Sequence, residues 1–169
     1  MKFIVILGLG LAGALDLRFR KVPNWLTFAM AITGILFQAV DRGISGFQES
    51  LLGLALGILL LYIPFALGGM GGGDVKLLGA TGALVGPAIL LKVFLASAIF
   101  GGIFSVFEII RKKSWGRTFQ SLKNRILHLF LTGRAVSESE IDFSVSPIHI
   151  PYALAMGCGY LWIYFLGGV

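Results

Sequence analysis

The chain has 169 residues, of which 57% are hydrophobic and 13% charged, and its 14 Lys and Arg outweigh 8 Asp and Glu for a net charge of +6. So few charges exclude an ordinary water-soluble domain, in which about a quarter of residues are charged. A single cysteine excludes a disulfide framework or a cysteine-rich zinc site within the chain.

Apolar runs follow one another at Phe3 to Leu15, Trp25 to Val40, Leu51 to Leu67, Leu77 to Leu91, Val93 to Ile110 and Ile150 to Leu166. They predict an all-α fold: a polytopic membrane bundle of about six transmembrane helices forming a single unit over residues 1–169. Several runs fall short of the ~20 residues that cross a bilayer comfortably, which points to a thinned or water-accessible region at one face. The first run, with Lys2 before it and Ala12-Gly13-Ala14 near its end, imitates a secretory signal peptide. Its minimal basic flank favours a retained first span.

The first junction, DLRFRKVPNW, carries Arg18, Arg20 and Lys21, and Pro23-Asn24-Trp25 reads as a helix start with Asn24 as N-cap. The third junction carries Lys76. The fifth, residues 111–147, carries Arg111, Lys112, Lys113, Arg117, Lys123, Arg125 and Arg134, so eleven of the 14 cations sit on odd-numbered connections. By the positive-inside rule those connections are cytoplasmic and both termini lie outside. Asp16 and Asp74 then share the cytoplasmic face. Within the fifth junction Trp115, Phe119, Leu122, Ile126, Leu129 and Phe130 recur at helical spacing, which predicts an interfacial amphipathic helix on anionic lipid between spans five and six. Near Pro147 and Pro151 the last span begins, and its Ala153, Ala155, Gly157 and Gly159 suit close helix packing.

Ionisable groups at membrane depth are costly and are functional candidates. Asp16 ends the first span, Asp74 precedes the fourth and Glu108 closes the fifth, where Arg111 and Lys112 can neutralise it. Taken singly, Asp16 could pair with Arg18 or Arg20, and Asp74 could cap a helix. Three consecutive glycines, Gly71 to Gly73, are more than a cap requires; they predict an irregular, close-approach segment that delivers Asp74 into a polar pocket. Two carboxylates sharing one water can hydrolyse a peptide, one taking a proton from the water and the other giving one to the carbonyl oxygen. His128 and His149 form no H-E-x-x-H pattern, and no serine has a G-x-S-x-G context.

Gly71-Gly72-Gly73-Asp74 fits the G-x-G-D motif of intramembrane aspartic proteases. With Val75-Lys76 after it, Asp16 in DLRFRKVPNW and IPYALA at Ile150 to Ala155, the chain resembles the type IV prepilin peptidases and their preflagellin relatives, most of all the small members serving Flp/Tad-type pili. The resemblance implies that Asp16 and Asp74 are the catalytic aspartates. It implies a membrane endopeptidase of the plasma membrane, active at the cytoplasmic face, that removes a short basic leader from pilin-like precursors without metal or organic cofactor. The longer members carry an N-terminal extension with paired cysteines; with Cys158 alone, N-methylation of the product is not expected.

Secondary candidates are weaker in chemistry. Gly71, Gly72 and Gly73 give close approach to an extended substrate strand; Lys76 could hold Asp74 ionised, bind a substrate carbonyl, or snorkel to the interface. Glu138, Glu140 and Asp142 could attract a basic leader or be a solvated loop. An ion-coupled transporter using Asp16 and Asp74 as its ion site is the alternative function, since glycine-broken helices with buried carboxylates also build carrier sites.

Overall fold

The computed structural model describes residues 2–19, 21–67, 70–111 and 152–167, and these are helical almost throughout. The elements are α1 (Lys2–Phe19), α2 (Asn24–Ala66), α3 (Gly72–Val85), α4 (Pro87–Arg111) and α5 (Tyr152–Phe165). Among the described residues, α2 and the Pro87–Phe107 part of α4 are long and apolar enough to cross a bilayer, and α5 is a shorter apolar helix. Large apolar side chains face outward along the bundle, with Phe3, Val40 and Phe165 each more than four-fifths exposed. In a helical protein of this composition, that surface suits lipid rather than water.

α2 is two helical arms broken at Gly43, whose φ of 62° and ψ of −140° turn the chain back on itself. Such a φ strains any residue with a Cβ. Arg42 and Ser45 finish the turn, Arg42 pairing with Glu49 at 2.9 Å and the Ser45 hydroxyl donating to the Arg42 carbonyl. The apolar runs predict a connection of about ten residues here; a single glycine suffices because its left-handed backbone reverses the chain without a loop.

The two arms grip α3 from both sides. Gly34 of the first arm lies against the Ala83–Leu84 backbone, Gly57 of the second against Leu78 and Gly79, and Gly53 faces Gly82 so closely that a Cβ on either would overlap the other's carbonyl oxygen. Apolar side chains gain nothing by leaving lipid for lipid-like surroundings, so this backbone-to-backbone approach is what holds such helices together. Polar side chains then complete the helix end. Gln38 donates to the carbonyls of Ala83 and Leu84, and Ser50 donates to Ala83 at 2.8 Å, while the Gly82 carbonyl accepts from the Gly86 amide. Those carbonyls would otherwise be orphans at a helix C-terminus away from water.

The junction between α3 and α4 corrects the apolar-run boundaries. No break occurs near Lys92, which lies inside α4; the chain turns at Gly86, with φ 78°, and Pro87 opens the next helix. A left-handed glycine followed by a proline at the first helical position is a local stop-and-start signal that a continuous apolar run conceals. α4 packs mainly on α5, and α1 on α5. Gly159 seats on Ser97 of α4, and Gly13 of α1 lies within ordinary contact of Leu154; Gly157, expected to serve the same packing, faces open space. At the far end Lys2 stacks over the Tyr164 ring. The predicted interfacial helix at 115–130 lies outside the described residues.

Candidate active site

Asp16 sits in the last turn of α1 and is only 4% exposed. Asp74 sits in the first turn of α3, half-buried, so the positive end of the α3 dipole faces its carboxylate. Both line one cavity of about 1200 Å³, whose walls also include Lys21 to Trp25, Met70 to Gly73, Leu61 and Pro64. That volume exceeds a typical small-molecule pocket of about 300–1,000 Å³ and suits a stretch of extended peptide. α3 and α5, 14 residues each, span only about 21 Å at 1.5 Å per residue. Both begin at the cavity, so the length they lack relative to a ~30 Å hydrocarbon core is consistent with a water-accessible recess where the aspartates lie.

The glycine run is not the irregular segment expected. Gly71 is the extended N-cap residue, with φ −77° and ψ 145°, and Gly72 and Gly73 are already helical; the positive-φ glycines among the described residues are Gly43, Gly86 and Gly167. The absent side chains make room instead. A Cβ on Gly71 would stand 3.5 Å from Asp74 Oδ2, one on Gly72 3.5 Å from the Phe65 ring, and one on Gly73 3.4 Å from Val22 Cβ. Val22 of the link between α1 and α2 thus lies beside Gly73 at the start of α3.

One other expectation changes. Asn24 is not the N-cap of α2: that residue is Pro23, and Asn24 is the first helical residue, its carbonyl accepting from Thr27. Its side chain is thus available to accept from Lys76 Nζ at 3.0 Å. Lys76, read as supporting Asp74, binding a substrate carbonyl or snorkelling to the interface, reaches across to α2 on the exposed surface in this bond. Glu138, Glu140 and Asp142, offered as a leader-binding cluster, lie outside the described residues.

One wall of the cavity was not anticipated. Phe94, Ala98, Gly101 and Ser105 come from one face of α4, and Tyr152 comes from the first turn of α5. The sequence signal was a stripe of mostly small residues at helical spacing in an otherwise bulky span, and a tyrosine directly after Pro151 in a helix start.

A bundle of apolar helices in which two aspartates line one recess is consistent with a helical membrane protein. The sequence profile of the type IV leader peptidase family matches residues 3–106, which include both aspartates, α1 from Phe3 on, and the whole of α2 and α3. The chain belongs to that family. It is 32% identical over 100 residues to the prepilin leader peptidase/N-methyltransferase of Bacillus subtilis, covering 56% of this chain and 39% of the relative. To the preflagellin peptidase of Methanococcus maripaludis it is 37% identical over 93 residues, covering 52% and 39%. To the prepilin leader peptidase/N-methyltransferase of Xanthomonas campestris it is 30% identical over 105 residues, covering 58% and 36%. The alignments thus span less than two-fifths of the length of these curated relatives. No solved structure matches the chain.

Proposed function

We propose that residues 1–169 form one membrane aspartic endopeptidase unit that removes the leader from type IV pilin-like precursors, with Asp16 and Asp74 as its catalytic pair. The observation that carries this is the convergence of those two side chains, from different helices, on a single cavity in a chain of the leader peptidase family. One carboxylate, ionised, takes a proton from a water whose oxygen attacks the scissile carbonyl carbon. The other, protonated, gives its proton to the carbonyl oxygen, and the tetrahedral intermediate collapses as the carbon–nitrogen bond breaks and the leaving amine takes a proton. The positive end of the α3 dipole lies against the Asp74 carboxylate, and Asp16 ends its own helix.

In this reading the two arms of α2 are separate crossings, and with α1, α3, α4 and α5 they make six. The cavity end, which holds Lys21 and Lys76, faces the cytoplasm under the positive-inside rule. In this reading the site lies at the plasma membrane surface, where the short basic leader of a precursor meets its apolar segment and the backbone is extended enough to be cut. Leader hydrolysis is favoured over the ion-carrier alternative by the family, since both the bacterial and the archaeal relatives are named as peptidases. N-methylation is part of the bacterial relatives' names and is not proposed for this chain; mass spectrometry of the mature amino terminus decides it.

The test is co-expression with a pilin-like precursor, leader removal being read as a gel shift. Asp16→Asn and Asp74→Asn each abolish processing, with membrane levels of the enzyme maintained. Processing by both variants at the wild-type rate would refute the aspartate pair.

A further inference from the structure

Trp25 stands in the first turn of α2, where the backbone is fixed on both sides of it. The Pro23 carbonyl accepts from the Leu26 amide at 3.2 Å, the Asn24 side chain accepts from Lys76 at 3.0 Å, and Leu26 and Thr27 are buried. Trp25 itself is 62% exposed, and it lines the cavity that holds Asp16 and Asp74. Phe19, the other exposed aromatic residue of that wall, already carries the Arg18 guanidinium over its ring, 5.4 Å from the centroid. Among the described residues no cation and no second ring is stacked on Trp25. Its indole, the best of the aromatic faces for an ammonium or guanidinium, is therefore open at the mouth of the recess, while Asp16 lies at its buried floor.

We propose that Trp25 is a specificity-determining residue that receives a Lys or Arg side chain of the precursor's leader on its indole face. The proposal rests on the peptidase reading above, in which the leader is short and basic. Charge on the described walls does not select such a leader by itself. The charged groups there are Asp16, Asp74 and Lys21, and hydrolysis by a carboxylate pair needs one of the two protonated, which leaves one anion against one cation. An aromatic face attracts a cation through its ring quadrupole and keeps that attraction whichever carboxylate holds the proton. The indole thus reads the positive charge of the leader at the mouth, apart from the groups that cut the chain.

The experiment uses the full chain in lipid vesicles with two synthetic precursor peptides, one with arginines in its leader and one with citrulline in their place, which keeps the shape and removes the charge. KM is recorded for both peptides with wild type, Trp25→Phe and Trp25→Leu, and turnover with Asp74→Asn. The wild type is expected to favour the arginine peptide by about 3- to 10-fold in KM, the size of a cation–π contact at a partly exposed site. Trp25→Leu keeps an apolar side chain at an exposed position and is expected to unfold at the wild-type temperature, but its preference for arginine disappears. Trp25→Phe, with a weaker ring quadrupole, lies between the two. An undiminished preference in folded Trp25→Leu and Trp25→Phe overturns the proposal, even where both peptides are handled equally worse, since that would mark a membrane-anchoring or packing role only. Equal KM for the two peptides in the wild type overturns it as well. Wild-type turnover by Asp74→Asn would overturn the peptidase reading itself, a result separable from either of these.

Discussion

Gly73 offers a graded test of what the glycine run does. Its backbone is helical, and a Cβ built there meets Val22 at 3.4 Å from Cβ and 3.5 Å from the carbonyl oxygen. One added methyl therefore reaches ordinary contact, and the change from Gly to Ala adds up to about 1 kcal/mol of helix propensity. Gly73→Ala should unfold in detergent at or slightly above the wild-type temperature and process precursor within about threefold of the wild-type rate, a barrier change of under about 0.7 kcal/mol. Gly73→Val hangs two further carbons on that Cβ, and they have no room unless Val22 moves. Overpacking of this kind costs about 1–3 kcal/mol. If the α1–α2 link relieves it by sliding about 1 Å, the reacting groups are misplaced enough to cost about a hundredfold in rate. Thermal unfolding and a time course of leader removal, measured on the same vesicle preparation, separate the two effects. The reasoning is refuted if alanine already abolishes processing in a folded protein, because the glycine would then be needed for something other than seating the link. Equally, wild-type processing by Gly73→Val would show that the Val22 contact does not set the spacing of the pair.

Gly82→Ala should destabilise the bundle by about 1–3 kcal/mol, because the new Cβ runs into the Gly53 carbonyl, which is backbone and cannot rotate away; denaturation in detergent reads this directly. Gln38→Leu removes the donor to the Leu84 carbonyl and is expected to cost about 1–3 kcal/mol for the unsatisfied group, with no loss of processing below the unfolding transition. Lys76→Met breaks an exposed bond to Asn24 and should lower stability by less than about 1.5 kcal/mol. A loss of processing greater than about tenfold by a folded Lys76→Met protein, or about 1.4 kcal/mol of barrier, would instead put the ammonium on substrate.

How much could be read beforehand follows from where the forces are local. Hydropathy and the two aspartates were legible because burial cost and charge act residue by residue, and cation counting alone put Asp16 and Asp74 on one face. The helix breaks were less legible. Gly43 and Gly86-Pro87 reverse the chain through backbone geometry that leaves hydropathy untouched, so the apolar runs made the first connection too long and ran through the second. The contacts of Lys76 and Tyr152 could not be read, because both are fixed by neighbours far off in sequence, Asn24 for one and Gly101 for the other.

The way the helices share their contacts bears on how this site is controlled. α3 is embedded in the arms of α2, whereas α1 leans on α5 and α5 on α4. The two carboxylates thus belong to different packing groups, and their separation is a property of the seam between those groups rather than of any one helix. In the proposed peptidase, side chains along the seam, such as Met30 against Gly8, are therefore levers on the spacing of the pair without touching substrate.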